Sequence, residues 1–206
     1  MFSILAILTF ISFVFASAPV STDSPEGTSY VATFPETIDS GISGSVRFDA
    51  ANNGSVIVSV NFTGLPDREH GPFAYSIQEY ELPADGNCSS TGDVWNPFNG
   101  DLDATSSTEQ HLFAIGDLSG KHGNITGNSI YTEYYDNYLS VSRGSDLQFV
   151  GRQSVVLHGA NGILRCQNVR VCERPMNNLE HGNDANSNRV ATFAMVLSAI
   201  SMFLFY

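Results

Sequence analysis

Alternate residues of a β-strand share a face, so two metal-binding side chains spaced i, i+2 can aim at one ion. The stretch Gly71-Pro72-Phe73-Ala74-Tyr75-Ser76-Ile77-Gln78-Glu79 holds polar side chains in that relation, Ser76 and Gln78. A neutral hydroxyl and an amide oxygen lack the basicity and softness of imidazole, so this pair is a poor seat for a redox metal. His158 ends a second apolar run, Ser154-Val155-Val156-Leu157-His158. The remaining histidines, His70, His111, His122 and His181, are scattered along the chain and read as solvated surface residues. A relocated site would have to draw His158 together with His111 or His122 and Asp117, and their spacing gives no positive sign of it.

The elements that would position these residues are strands. In Ser55-Val56-Ile57-Val58-Ser59-Val60-Asn61-Phe62, the side chains of Val56, Val58, Val60 and Phe62 fall on one face, with Ser59 and Asn61 on the other. Gly44 to Phe48 reads as its hairpin partner, and Ala51-Asn52-Asn53-Gly54 supplies the turn between them. A later apolar run, Leu147 to Leu157, contains Gly151, which marks a bulge or a close approach. Tyr131, Tyr134, Tyr135 and Tyr138 precede the short strand Leu139 to Val141 and are read as core and edge packing. Regularly spaced strands with Gly, Asn and Asp turns, and no convincing amphipathic helix, predict an all-β sandwich or barrel.

The two ends differ from this middle. Phe2 to Phe15 is uncharged and apolar, and Ala16-Ser17-Ala18 follows it, which predicts a secretory signal over residues 1–18. Pro19 to Thr28 reads as a flexible lead, 29–172 as the β domain, and 173–189 as a polar stalk. Val190 to Tyr206 carries no charge and follows a small polar stretch, as a GPI-attachment signal does; a retained membrane tail is the alternative. Discounting the ends, about 165 residues remain, enough for one domain with a full core.

Export agrees with four N-glycosylation sequons, at Asn53, Asn61, Asn87 and Asn124. Three cysteines fit an oxidising compartment, where Cys88 can pair with Cys166 or with Cys172. A formal charge of −12 argues against nucleic acid as a partner and against attraction to anionic lipid. The partners expected are a membrane, through the anchor, and a cell wall or host surface.

Several motifs together resemble the copper/zinc superoxide dismutase family, in particular its extracellular copper-only branch in fungi. They are the strand Gly71 to Glu79, the loop Asp85-Gly86-Asn87-Cys88, the run Ile115-Gly116-Asp117-Leu118-Ser119-Gly120-Lys121-His122-Gly123, and Gly151-Arg152-Gln153-Ser154-Val155-Val156-Leu157-His158. The resemblance covers roughly Thr28 to Cys166 and implies a Greek-key β-sandwich closed by a Cys88–Cys166 disulfide. It also implies four copper imidazoles, at positions held here by Ser76, Gln78, Val94 and His158, of which His158 alone is a histidine. Asp117 matches the family's zinc-loop acid, but Ala114 stands where a zinc histidine is expected, so zinc is not expected. Only seven residues separate His158 from Cys166, and the shortness of that loop again resembles the copper-only branch. The arginine that helps attract superoxide in the family falls at Ile163; Arg165 lies two residues away, which on a regular strand keeps the face but not the place. The resemblance therefore implies a dismutase scaffold, exported and surface-anchored, with a depleted copper site. An active copper enzyme, or a copper- or haem-binding protein with a relocated site, is the alternative.

Overall fold

A computed structural model describes residues 17–172 apart from 38–39, 67–70, 106–107 and 146. The expected stalk and anchor, most of the expected signal, and His70 and His181 lie outside the described residues. Eight strands are formed: β1 (Ser29–Phe34), β2 (Ser43–Ala50), β3 (Val56–Thr63), β4 (Ala74–Gln78), β5 (Ile130–Asp136), β6 (Ser154–Gly159), β7 (Gly162–Asn168) and β8 (Arg170–Val171). A five-residue helix, α1 (Leu118–His122), is the only α-helix among the described residues.

The strands form two antiparallel sheets, one ordered β5-β3-β2-β1-β8 and the other β4-β6-β7. Alternation dictates which side chains meet between them. On β3, Val56, Val58, Val60 and Phe62 are buried, while Asn61 on the other parity is exposed. Partners on β2, Val46 and Phe48, are fully buried too. From the second sheet Tyr75, Ile77, Val155 and Leu157 complete the core. Burial of each such side chain is worth about 1.5–3 kcal/mol, so this face fixes the register of every strand.

The β2–β3 hairpin forms as the sequence predicts, with Ala50 opposite Val56 and the turn between them. Gly54 has φ of 81°, and a Cβ there would lie 2.2 Å from the Thr22 carbonyl oxygen, so the turn demands glycine twice over. That contact corrects the reading of Pro19 to Thr28 as flexible. Ser21 and Ser24 are buried, the Ser21 N–H donates to Asn137 O at 2.7 Å, and the Ser24 N–H donates to Gly54 O at 3.0 Å. Small serine side chains let the lead lie flat against the hairpin. Ala18, the last residue of the expected signal, is also buried and its N–H donates to His111 O at 3.1 Å, so it packs with the domain. The run Leu147 to Leu157 is likewise only partly strand. Residues 150–152 make a 3-10 turn before β6, because Gly151 sits where a Cβ would lie within 2.5 Å of the Phe149 and Tyr30 rings.

Candidate metal centre

The outer face of the three-stranded sheet carries the alternate residues that the core excludes. Ala74 pairs with His158, Ser76 with Val156, and Gln78 with Ser154 across β4 and β6. Strand β4 would present a bare edge on its far side, but two segments cover it. The Ile77 N–H donates to Gly116 O, and the Trp95 N–H donates to Ile77 O, at 2.8 and 2.9 Å. One side chain then closes the rest: Ser119 Oγ accepts from the Tyr75 N–H at 2.6 Å and donates to Tyr75 O at 3.1 Å. Gly116 permits this close approach, since a Cβ would fall 2.5 Å from Ile77 O.

The covering segment delivers Val94 beside Gln78, in an isolated antiparallel bridge. Gln78, Val94, Val156, His158 and Ile163 line a cavity of about 340 Å³, walled on one side by Cys88 and the loop after it. The Cys88–Cys166 disulfide, with a Cα–Cα distance of 5.7 Å, pins that wall to β7. Cys172 is the free thiol, which settles the choice the sequence left open. Gln78, Val94 and His158 thus gather around one cavity, with Ser76 behind Gln78 on the same strand face.

Their chemistry is not that of a metal centre. Ser76 and Gln78 are buried, and Gln78 Nε2 donates to Ser76 Oγ at 2.7 Å, so the two polar groups satisfy each other. Val94 adds hydrocarbon. His158 is half-buried, and burial holds its imidazole below its ordinary pKa. A single imidazole with a hydroxyl and an amide tied to each other does not fit copper, which takes several nitrogen ligands. The zinc position does not fit a metal either: Ala114 is fully buried, and Asp117 Oδ1 accepts from the Gly120 N–H at 2.8 Å as the N-cap of α1. Among the described residues, no three His, Cys, Asp or Glu side chains gather to hold an ion. His111 lies 3.4 Å from Glu109, and His122 faces Asp136, so neither joins His158 and Asp117 in a relocated centre.

One sequence expectation fails for a geometric reason. The ladder of β6 and β7 slips at Leu157/His158, so that Ile163 opposes His158 while Arg165 opposes Leu157. This irregularity breaks the two-residue alternation, and Arg165 does not share the face of Ile163. Its guanidinium instead donates to the carbonyls of Ile42 and Pro35, at 3.1 and 2.9 Å. An alkyl side chain, Ile163, stands at the cavity in its place.

The sequence reading missed a buried polar cluster behind α1. Lys121 Nζ donates to Asp136 Oδ2 at 2.5 Å and to Ile115 O at 2.8 Å, with both charged side chains at 0% exposure. His122 Nε2 lies 3.3 Å from the same carboxylate oxygen, and its ring stacks on Tyr134 with centroids 3.7 Å apart. The Tyr75 hydroxyl donates to that of Tyr134 at 3.2 Å. Burial alone would raise the Asp136 pKa, but the Lys121 ammonium, aided by His122, outweighs it and holds the carboxyl at about 2. Burial drives the Tyr134 and Tyr75 hydroxyls the other way, upward. A signal was present in the sequence. Asp136 shares the inward parity of Ile130, Thr132 and Tyr134, and a carboxylate on that parity needs a buried cation.

A disulfide-closed β-sandwich with Gln78, Val94 and His158 around a pocket on its smaller sheet defines a class, and comparison with known proteins agrees. The family described as copper/zinc superoxide dismutase (SODC) matches residues 42–190, so the chain belongs to that family. It is 42% identical over 167 residues to the cell surface Cu-only superoxide dismutase 5 of Candida albicans, spanning 81% of this chain and 69% of that protein. It is 39% identical to the cell surface superoxide dismutase [Cu-Zn] 4 of the same organism, over 89% of this chain and 75% of the relative. The solved structure of superoxide dismutase 5 in its Cu(II) form superposes with a TM-score of 0.64 at 41% identity, covering 78% of this chain and 99% of that one. Within the family, the chain falls in the fungal extracellular copper-only branch.

Proposed function

We propose that this protein is a catalytically degenerate member of its family, an exported and surface-anchored β-sandwich that serves as a cell-surface or cell-wall module. One observation carries the reading: Gln78 and Ser76 are hydrogen-bonded to each other where two copper imidazoles are expected, with Val94 at the third position. The fold does not depend on that site, because its core is formed by the opposite parity of the same strands. Relatives named as cell surface proteins support export, and the exposure of Asn53, Asn61, Asn87 and Asn124 is what sequons in an exported domain require. The same relatives favour a second reading, in which the chain binds copper and dismutates superoxide.

Metal analysis of the secreted domain, beside a superoxide assay with copper added, separates the two readings. Sub-stoichiometric copper and no catalysed dismutation are expected. One copper per chain with fast dismutation would overturn the degenerate reading.

A further inference from the structure

Strand β5 forms one edge of the larger sheet, and two of its tyrosines face away from the core. Tyr131 is 73% exposed and Tyr135 is 60% exposed, and neither has a ring or hydrogen-bond partner among the described residues. Large aromatic rings on an open sheet face are costly to leave in water. Each stands beside a sequon. Tyr131 is directly opposite Asn61 in the β3–β5 ladder, and Asn61 is exposed with Thr63 two residues on. Tyr135 lies opposite Ile57, and both line a cavity of about 540 Å³ that Asn53 also lines.

We infer that the partners of these rings are the chain's own N-linked glycans, with the proximal N-acetylglucosamine of Asn61 stacked on Tyr131 and that of Asn53 seated against Tyr135 and Ile57. Directly opposed residues on antiparallel strands have Cβ atoms about 4.5–5.5 Å apart, so a sugar carried on the Asn61 amide begins within reach of the Tyr131 ring. A pyranose presents C–H groups on one face, and these pack on the negative face of an aromatic ring while the sugar hydroxyls stay in water. The tyrosines are four residues apart, about 13 Å along the strand, so each serves its own glycan. Between them Ser59 Oγ donates to Glu133 Oε2 at 3.0 Å, which leaves the middle of the face polar. Sugars on Asn61 and Asn53 would also screen the β5 edge from pairing with another strand. This inference rests on export of the chain and not on its metal content.

The test uses the full secreted protein from a yeast host, with glycopeptide mass spectrometry at each sequon. Endoglycosidase H acting on the native protein is expected to release the Asn61 glycan about fivefold more slowly than the Asn124 glycan, the protection of one stacked ring. Tyr131→Ala should remove the difference and Tyr131→Phe should keep it. Asn61→Gln and Tyr131→Ala should each lower Tm by about 2–4 °C, and the double variant should fall no further than one of them. Equal release rates in the unmodified protein refute the stack with no need for a folded variant, and an additive double variant refutes it as well. An occupied Asn124 with a bare Asn61 refutes it too, as does glycan at none of the four sequons, whereas failure of the yeast host to secrete the chain would count against export itself. A dimer that Tyr131→Ala dissociates would assign the face to a second copy instead.

Discussion

Lys121→Met tests whether a buried ion pair holds α1 and the segment covering β4 on the domain. The substitution keeps the length of the stem, removes the ammonium, and leaves Asp136 fully buried with His122 and the Tyr138 N–H as its remaining partners. Breaking such a pair by deleting one member costs about 3–5 kcal/mol, because the surviving charge is desolvated without compensation. For a domain of this size each kcal/mol lowers Tm by about 2–4 °C, so a drop of roughly 6–20 °C is expected. Urea and thermal unfolding of the secreted domain, followed by circular dichroism, would measure it. The double change Lys121→Met with Asp136→Leu should recover much of the loss, since neither charge then remains. The pH dependence has a definite sign. Asp136 in the folded protein titrates at about 2 against an ordinary 3.8, so its contribution is present above pH 3.8 and fades as pH falls toward 2. That difference is worth about 2 kcal/mol at neutral pH. Without Lys121, burial dominates and the carboxyl pKa moves up, so the penalty of the variant should shrink on acidification. A loss below about 1 kcal/mol at neutral pH, or a penalty that grows in acid, would refute the role assigned to the pair.

Restoring imidazoles with Ser76→His, Gln78→His and Val94→His should raise copper affinity by orders of magnitude, measured by competition with a chelator, because His158 then completes a set of four. Dismutation by that restored protein should gain further from Ile163→Arg and be indifferent to Arg165→Ala, since Arg165 reaches the loop carbonyls of Ile42 and Pro35 instead of the cavity. Cys166→Ser should cost about 4–5 kcal/mol in urea titrations by the loop-entropy relation, and non-reducing peptide maps should join Cys88 to Cys166, not to Cys172. Phospholipase that cleaves GPI should release the protein from membranes, and retention with an intact Phe205-Tyr206 terminus would favour a spanning tail.

The alternation of Val56, Val58, Val60 and Phe62 was enough to place the central hairpin and its register, because burial of one parity leaves no other solution. The four expected ligand positions were legible only through resemblance to the family, since nothing local links Val94 to His158 before the sheet forms. Arg165 was misread because a bulge is invisible to a two-residue period. Lys121 and Asp136 were missed for a related reason. They are fifteen residues apart, and each alone resembles a surface charge until the inward parity of β5 is taken seriously. The lead was read from its serines as loose, yet small side chains are also what a segment needs to lie close against a turn.

The Lys121–Asp136 pair has a consequence for how this lineage can change. Where a bound metal organises a loop, losing a ligand endangers the whole domain, and mutation at the site is purged for reasons unrelated to activity. Here the loop is fastened by an ammonium and a carboxylate of the chain itself, so on the degenerate reading proposed above its folding needs no metal donor. On that reading, substitutions at positions 76, 78 and 94 do not loosen the loop through loss of a metal, and the cavity becomes a surface on which a new specificity can be tried.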